Sequence, residues 1–152
     1  MQQRTWELHE RTRRFAAAAD ALCDRLPADA SAQRTAEKLR AAAKAVVAGY
    51  KEVCASPSPE KFIAGISLVA SQARRARASV QMLLQLNHVT IEAARDVLLE
   101  ARALEAIFRR SRDTARKRHQ ARLAGPKPVD PRVRALVDHL LAGPQDGFPD
   151  EP

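Results

Sequence analysis

Aromatic residues make up only 4% of this 152-residue chain and glycine occurs five times. That scarcity argues against a β-sandwich or barrel, which needs turn residues about every ten positions and large side chains between its layers. There are two cysteines, Cys23 and Cys54. Neither belongs to a Cys-x-x-Cys pair or has a histidine at ligand spacing, so both are expected to be reduced, partly buried small residues. No stretch approaches the roughly 18 uncharged residues of a membrane span. Arg4, Thr5, Trp6 and Glu7 appear where a leader would carry its apolar run, and the expectation is a cytoplasmic protein without membrane contact.

Catalytic signatures are missing too. Gly49 and Gly65 stand alone in helical surroundings, where they are expected to let helices approach closely rather than to cradle phosphate. His9, His88, His119 and His139 fall in four separate places without Glu-x-x-His spacing, so a diiron or zinc bundle site has no support. No serine sits in a nucleophile-elbow pattern. The reading is a non-enzyme with no metal or cofactor.

What the chain does contain is 45% hydrophobic and 29% charged residues, with Lys+Arg 26 against Asp+Glu 18 and a net charge of +8. A single-domain length with that apolar share supports a real core, and the positive field favours polyanions. Prolines punctuate the helices, because the ring removes a backbone donor and clashes with the preceding turn. A first helix is predicted from about Thr5 to Leu26, with Phe15, Ala19, Leu22 and Leu26 on one stripe, ended by Pro27. Asp29 and Ser31 are cap candidates for a second, alanine-rich helix carrying Ala36, Leu39, Ala43, Val46, Tyr50 and Val53. Ser58-Pro59 starts a third, and Phe62, Ile66, Val69, Ala73, Ala76, Val80, Leu83 and Leu84 form its apolar face. Thr90 opens the fourth, whose Ala94, Val97, Ala101, Leu104, Phe108, Ser111 and Ala115 alternate three- and four-residue steps. The predicted fold is all-α, an up-down-up-down four-helix bundle over residues 1–124. Six of the nine prolines fall after Gly125. Residues 125–152 read as a proline-rich extension with a short helix at 131–142 and a flexible tail ending in Asp146, Asp150 and Glu151.

The basic residues are patterned. Arg95, Arg102, Arg109 and Arg116 recur every seven residues beside the fourth seam. Arg110, Arg112, Lys117, Arg118 and Arg122 thicken that stripe against one acid, Asp113. Arg74, Arg75 and Arg77 form a second group, and Arg40, Lys44 and Lys51 a third. Such a surface repels itself unless solvated or given phosphates, and with few aromatics to stack bases its contacts would go to backbone phosphate.

The runs RTRRFAAAADALCDRLP, GYKEVCASPSPEKFI and EARALEAIFRRSRDTAR resemble the four-helix-bundle family encoded in intervening sequences of bacterial large-subunit ribosomal RNA. That family includes the accessory variability protein of diversity-generating retroelements. Tyr50, Lys51, Glu52, Ser58 and Phe62, then Leu104, Ile107 and Phe108, carry the likeness. The chain departs from the pattern at Lys38, Ala41, Ala42, Ala45 and Gly49, where a polar set is usual, and at Ser71, Gln72 and Arg75, where glutamates are usual. The resemblance implies a homo-oligomer, a pentamer foremost, that binds structured RNA or an RNA–DNA hybrid and partners a reverse transcriptase. A scaffold that receives an acidic protein on its basic face is the alternative, and a small bundle enzyme stands behind both.

Overall fold

The structure, a computed structural model, describes residues 2–143. Five helices account for its regular structure: α1 (Gln2–Asp24), α2 (Ala30–Cys54), α3 (Pro59–Gln85), α4 (Ile91–Ala124) and α5 (Pro131–Leu141). Their ends follow local chemistry. Proline disfavours helical geometry at the residue before it, so α1 stops ahead of Leu26-Pro27 and closes with tighter bonds from Arg25 N to Leu22 O and from Leu26 N to Cys23 O. The Asp29 carboxylate accepts from Ala32 N at 3.1 Å and is the α2 cap. Ser58 Oγ accepts from Lys61 N at 3.2 Å, with Pro59 in the first turn. Thr90 Oγ1 accepts from Ala93 N at 3.2 Å ahead of α4.

The α3–α4 connection is short because Asn87 ends α3 in a left-handed conformation, φ 57°. His88 N then donates to Leu83 O at 2.9 Å and Asn87 N to Leu84 O at 3.1 Å, which satisfies two otherwise orphaned carbonyls and turns the chain back at once.

Helices α1 to α4 pack antiparallel to their neighbours, as their contacts record. Arg40 on α2 meets Asp20 and Asp24 near the end of α1, whereas Tyr50 meets His9 near its start. Arg77 on α3 meets Glu105 on α4, and Arg11 on α1 meets Glu100 on α4, closing the bundle. Phe15, Leu39, Ile66, Leu83, Leu104 and Phe108 are fully buried along its axis. The expected α4 seam is buried from Ala94 through Phe108 but only half-buried at Ser111 and Ala115. With Arg11 beside Glu100 in an antiparallel pair, the first turn of α1 stands about level with Arg109, and α4 outruns its neighbour beyond that point.

Helices α2 and α3 approach closely, and two glycines make it possible. A Cβ on Gly49 would lie 2.9 Å from Val69 Cγ2, and one on Gly65 would lie 2.7 Å from Val53 Cγ2. Both valines are buried and stiff at χ1, so neither can swing aside. Gly65→Ala gains about 1 kcal/mol of helix propensity yet faces an overpacking cost of about 1 to 3 kcal/mol. The expected result is a net loss of stability in urea unfolding. Val53→Ala introduced beside it should cost less than Val53→Ala alone, a favourable coupling that a double-mutant cycle measures.

The chain divides into two compact units, one up to His119 and one from Gln120. In the second, Asp130 accepts from Arg132 N at 2.8 Å and Pro131 occupies the first turn of α5. None of the α5 residues is buried. The acidic end expected to be flexible lies outside the described residues.

Candidate nucleic-acid interface

Two helical stripes face each other across α3 and α4. Ser67, Ser71 and Arg74 step by four and three along α3, as do Glu105, Arg109 and Arg112 along α4, and both sets therefore line single faces. Together with Ala70 and Arg77 they enclose a groove of about 380 Å³. Its lining holds four guanidinium groups against one carboxylate, a surplus of three positive charges (4 − 1). Glu105, whose side chain is 8% exposed, lies at the centre. Its Oε2 is 3.3 Å from Arg77 Nε and its Oε1 3.8 Å from Arg109 Nη1. Arg77 Nε is buried and makes no hydrogen bond, so its contact with Glu105 is an ion pair without hydrogen-bond alignment. Arg112 Nε donates to Asp113 Oδ1 at 3.0 Å. Among the described residues Arg74 is exposed and has no carboxylate within 4.0 Å.

The other candidates divide by environment. Arg40 is held by Asp20 at 3.2 Å and Asp24 at 2.5 Å between α1 and α2, so its charge is neutralised locally. Lys44 and Lys51 on α2 are exposed, as are Arg75, Arg95, Arg102, Arg116 and Lys117, none of which lines the groove. Arg110 and Arg118 line a separate recess of about 410 Å³ with Phe62, Ile107 and Ser111. Arg122 is exposed and belongs to the second compact unit. The structure thus brings Arg74 and Arg77 together with Arg109 and Arg112.

Sequence reasoning did not anticipate Glu105, which lies just ahead of the arginine-rich run. Its signal was available in the four-residue spacing to Arg109, the spacing of a helical ion pair. The two serines were likewise unmarked. Ser67 Oγ donates to Ile63 O at 2.7 Å, whereas Ser71 on the rim makes no hydrogen bond with the described chain.

Histidines sit at helix ends or seams. His119 Nε2 is 3.4 Å from Glu60 Oε1, and His88 Nε2 is 3.5 Å from Asp29 Oδ2. Among the described residues, no three His, Cys, Asp or Glu side chains group as a metal site would require, and no helix is long and apolar enough to cross a membrane. Cys23 is buried as expected but Cys54 is exposed.

Three titrations are displaced. The hydrogen bond to Glu100 raises the Arg11 guanidinium further. Burial pushes the Cys23 thiol above its ordinary 9.0, and burial with Cys54 nearby pushes the Tyr50 phenol well above 10.0. A group whose folded pKa is raised contributes stability below its unfolded value and loses it as pH climbs towards the folded one. Stability should therefore fall above about pH 9 to 10. Tyr50→Phe should flatten that fall when urea midpoints are compared across alkaline pH, because the phenol no longer ionises preferentially in the unfolded chain.

Comparison with family models, with curated proteins and with solved structures matches none of them to this chain.

Proposed function

We propose that the chain is a non-enzymatic RNA-binding accessory protein that assembles into a homo-oligomer and works beside a retroelement reverse transcriptase. The observation that carries the binding reading is the convergence of Arg74, Arg77, Arg109 and Arg112 on one groove, where Glu105 and the Asp113 paired with Arg112 offset only part of their charge. Guanidinium groups recognise phosphate oxygens with paired, directional donors, and Arg95, Arg102 and Arg116 extend the positive surface along α4. The resemblance of the Tyr50 to Phe62 and Leu104 to Phe108 segments supports the choice of RNA and of the partner.

Assembly is supported by side chains the bundle leaves uncovered. Leu68 and Met82 lie two heptads apart on α3, 66% and 45% exposed. Alanine-rich α2 fills little volume, so neighbouring subunits would supply further burial. The closed ring implied by the resemblance is a pentamer.

Titration of the purified chain with a structured RNA and with an acidic polypeptide tests the reading. The RNA should bind with an affinity that falls linearly in log–log form as salt rises, and the polypeptide should bind far more weakly. Preference for the polypeptide would instead establish the protein-scaffold alternative. Light scattering at micromolar concentration should show a discrete oligomer, and a stable monomer removes the assembly claim.

A further inference from the structure

We infer that the α3–α4 groove is an end-recognition site, shaped for the terminal phosphate of a nucleic-acid strand and not for the phosphodiesters along it. The inference deepens the RNA-binding reading and rests on it. Its ground is the direction from which the cations come. Arg74 and Arg77 reach in from α3, and Arg109 and Arg112 from α4, so a bound anion meets donors on two opposed walls. A backbone diester presents two non-bridging oxygens and one charge, and its ester links occupy the remaining directions. A terminal monoester presents three such oxygens and carries about −1.5 to −2 at pH 7. It can therefore engage both walls together, and it better offsets the two positive charges left once Glu105 and Asp113 are set against the four arginines.

Glu105 explains why this surplus does not scatter the arginines when the groove is empty of phosphate. Its buried carboxylate stands 3.3 Å from Arg77 and 3.8 Å from Arg109, one on each wall, and holds the two guanidinium stems towards a common centre. It is a positioning residue. Ser71 on the rim adds a free hydroxyl, while Ser67 is committed to Ile63 O. The volume of about 380 Å³ accommodates a phosphate with its attached sugar. The lining contains no aromatic side chain, so nothing in it stacks on a base and recognition is indifferent to the terminal nucleotide.

The test compares two RNA oligonucleotides of one sequence, one with a 5′-monophosphate and one with a 5′-hydroxyl, on the full chain. The monophosphate form should bind about tenfold tighter or better, whichever base is terminal. Arg74→Gln should bring its affinity down to that of the hydroxyl form. Since Arg74 is exposed and makes no ion pair, that variant keeps its thermal midpoint. Arg95→Gln, outside the groove, should reduce the salt dependence for both oligonucleotides and preserve their ratio. If both forms bind the unaltered chain equally well, the groove reads ordinary backbone: this inference falls and the RNA-binding reading stands. If neither binds, both fall. An Arg74-dependent competition by a phosphoserine peptide as strong as by the monophosphate oligonucleotide would also overturn the inference, because it places the site with protein ligands.

Discussion

Replacing Arg109, Arg112 and Arg116 together by glutamine should lower the magnitude of the slope of log affinity against log salt by about 2 to 3, on a 5′-phosphorylated RNA of any sequence. The figure follows from counterion release of about 0.7 to 0.9 per phosphate contact, taken three times. Affinity at low salt should fall steeply and uniformly, whereas helicity and oligomer size should not change. Arg116 is exposed, and Arg109 is 60% exposed at the side chain with its Glu105 contact at 3.8 Å. The contact is long and its arginine is largely solvated, so it contributes little, and the buried Glu105 keeps Arg77 as its partner. Arg112 is less free, at 23% side-chain exposure, and its stem accounts for whatever small fall in melting temperature the triple variant shows. In a ring the loss repeats in every subunit and is multiplied through avidity. An unaltered slope in a folded triple variant would reduce the α4 stripe to a solvated face.

The sequence made the helices legible because their boundaries rest on neighbours in the chain. Asp29, Ser58 and Thr90 cap through donors three residues ahead, and Pro59 and Pro131 open first turns, so each signal lies within one turn of the element it starts. Burial of Ala94, Val97, Ala101, Leu104 and Phe108 likewise follows from spacing alone. The groove does not. Arg74 meets Arg112 only after α3 is set against α4 in one register, and nothing local fixes it. The same holds for Arg40, which reads as an available cation in α2 until the register with α1 brings Asp20 and Asp24 against it. Glu105 fell between two sequence patterns, being on the edge of the apolar seam and one turn ahead of the basic run. Its importance emerges from having Arg77 on the opposing helix. Charge clusters were thus visible by helix, and their pairing was a property of packing.

That dependence on packing makes Phe108 the single core position with the largest expected effect. Its side chain is fully buried, and its ring lies 5.7 Å from Tyr50, which in turn lies 4.7 Å from His9. The three form a chain of contacts from α1 through α2 to α4 near the end where α1 begins. On α4 the fully buried side chains are Ala94, Ala101, Leu104 and Phe108, of which Phe108 is the largest. Phe108→Ala should cost about 3 to 5 kcal/mol, the sum of lost transfer free energy and the cavity left where neighbours cannot close in. The urea midpoint should drop with the m-value unchanged if the chain still unfolds in one step. Because Arg109 follows Phe108 directly and Arg112 lies one turn beyond it, opening of this part of α4 also dismantles the groove, and phosphate-dependent RNA binding should weaken along with stability. Phe108→Leu, which keeps most of the volume, should recover most of both. The pair therefore separates from the arginine variants: one class loses binding through unfolding and regains it with volume, and the other loses binding at constant stability. A Phe108→Ala chain as stable as the unaltered one would mean that α4 is held elsewhere, by Leu104 and the other buried residues of its seam and by the Arg77–Glu105, His119–Glu60 and Arg11–Glu100 contacts.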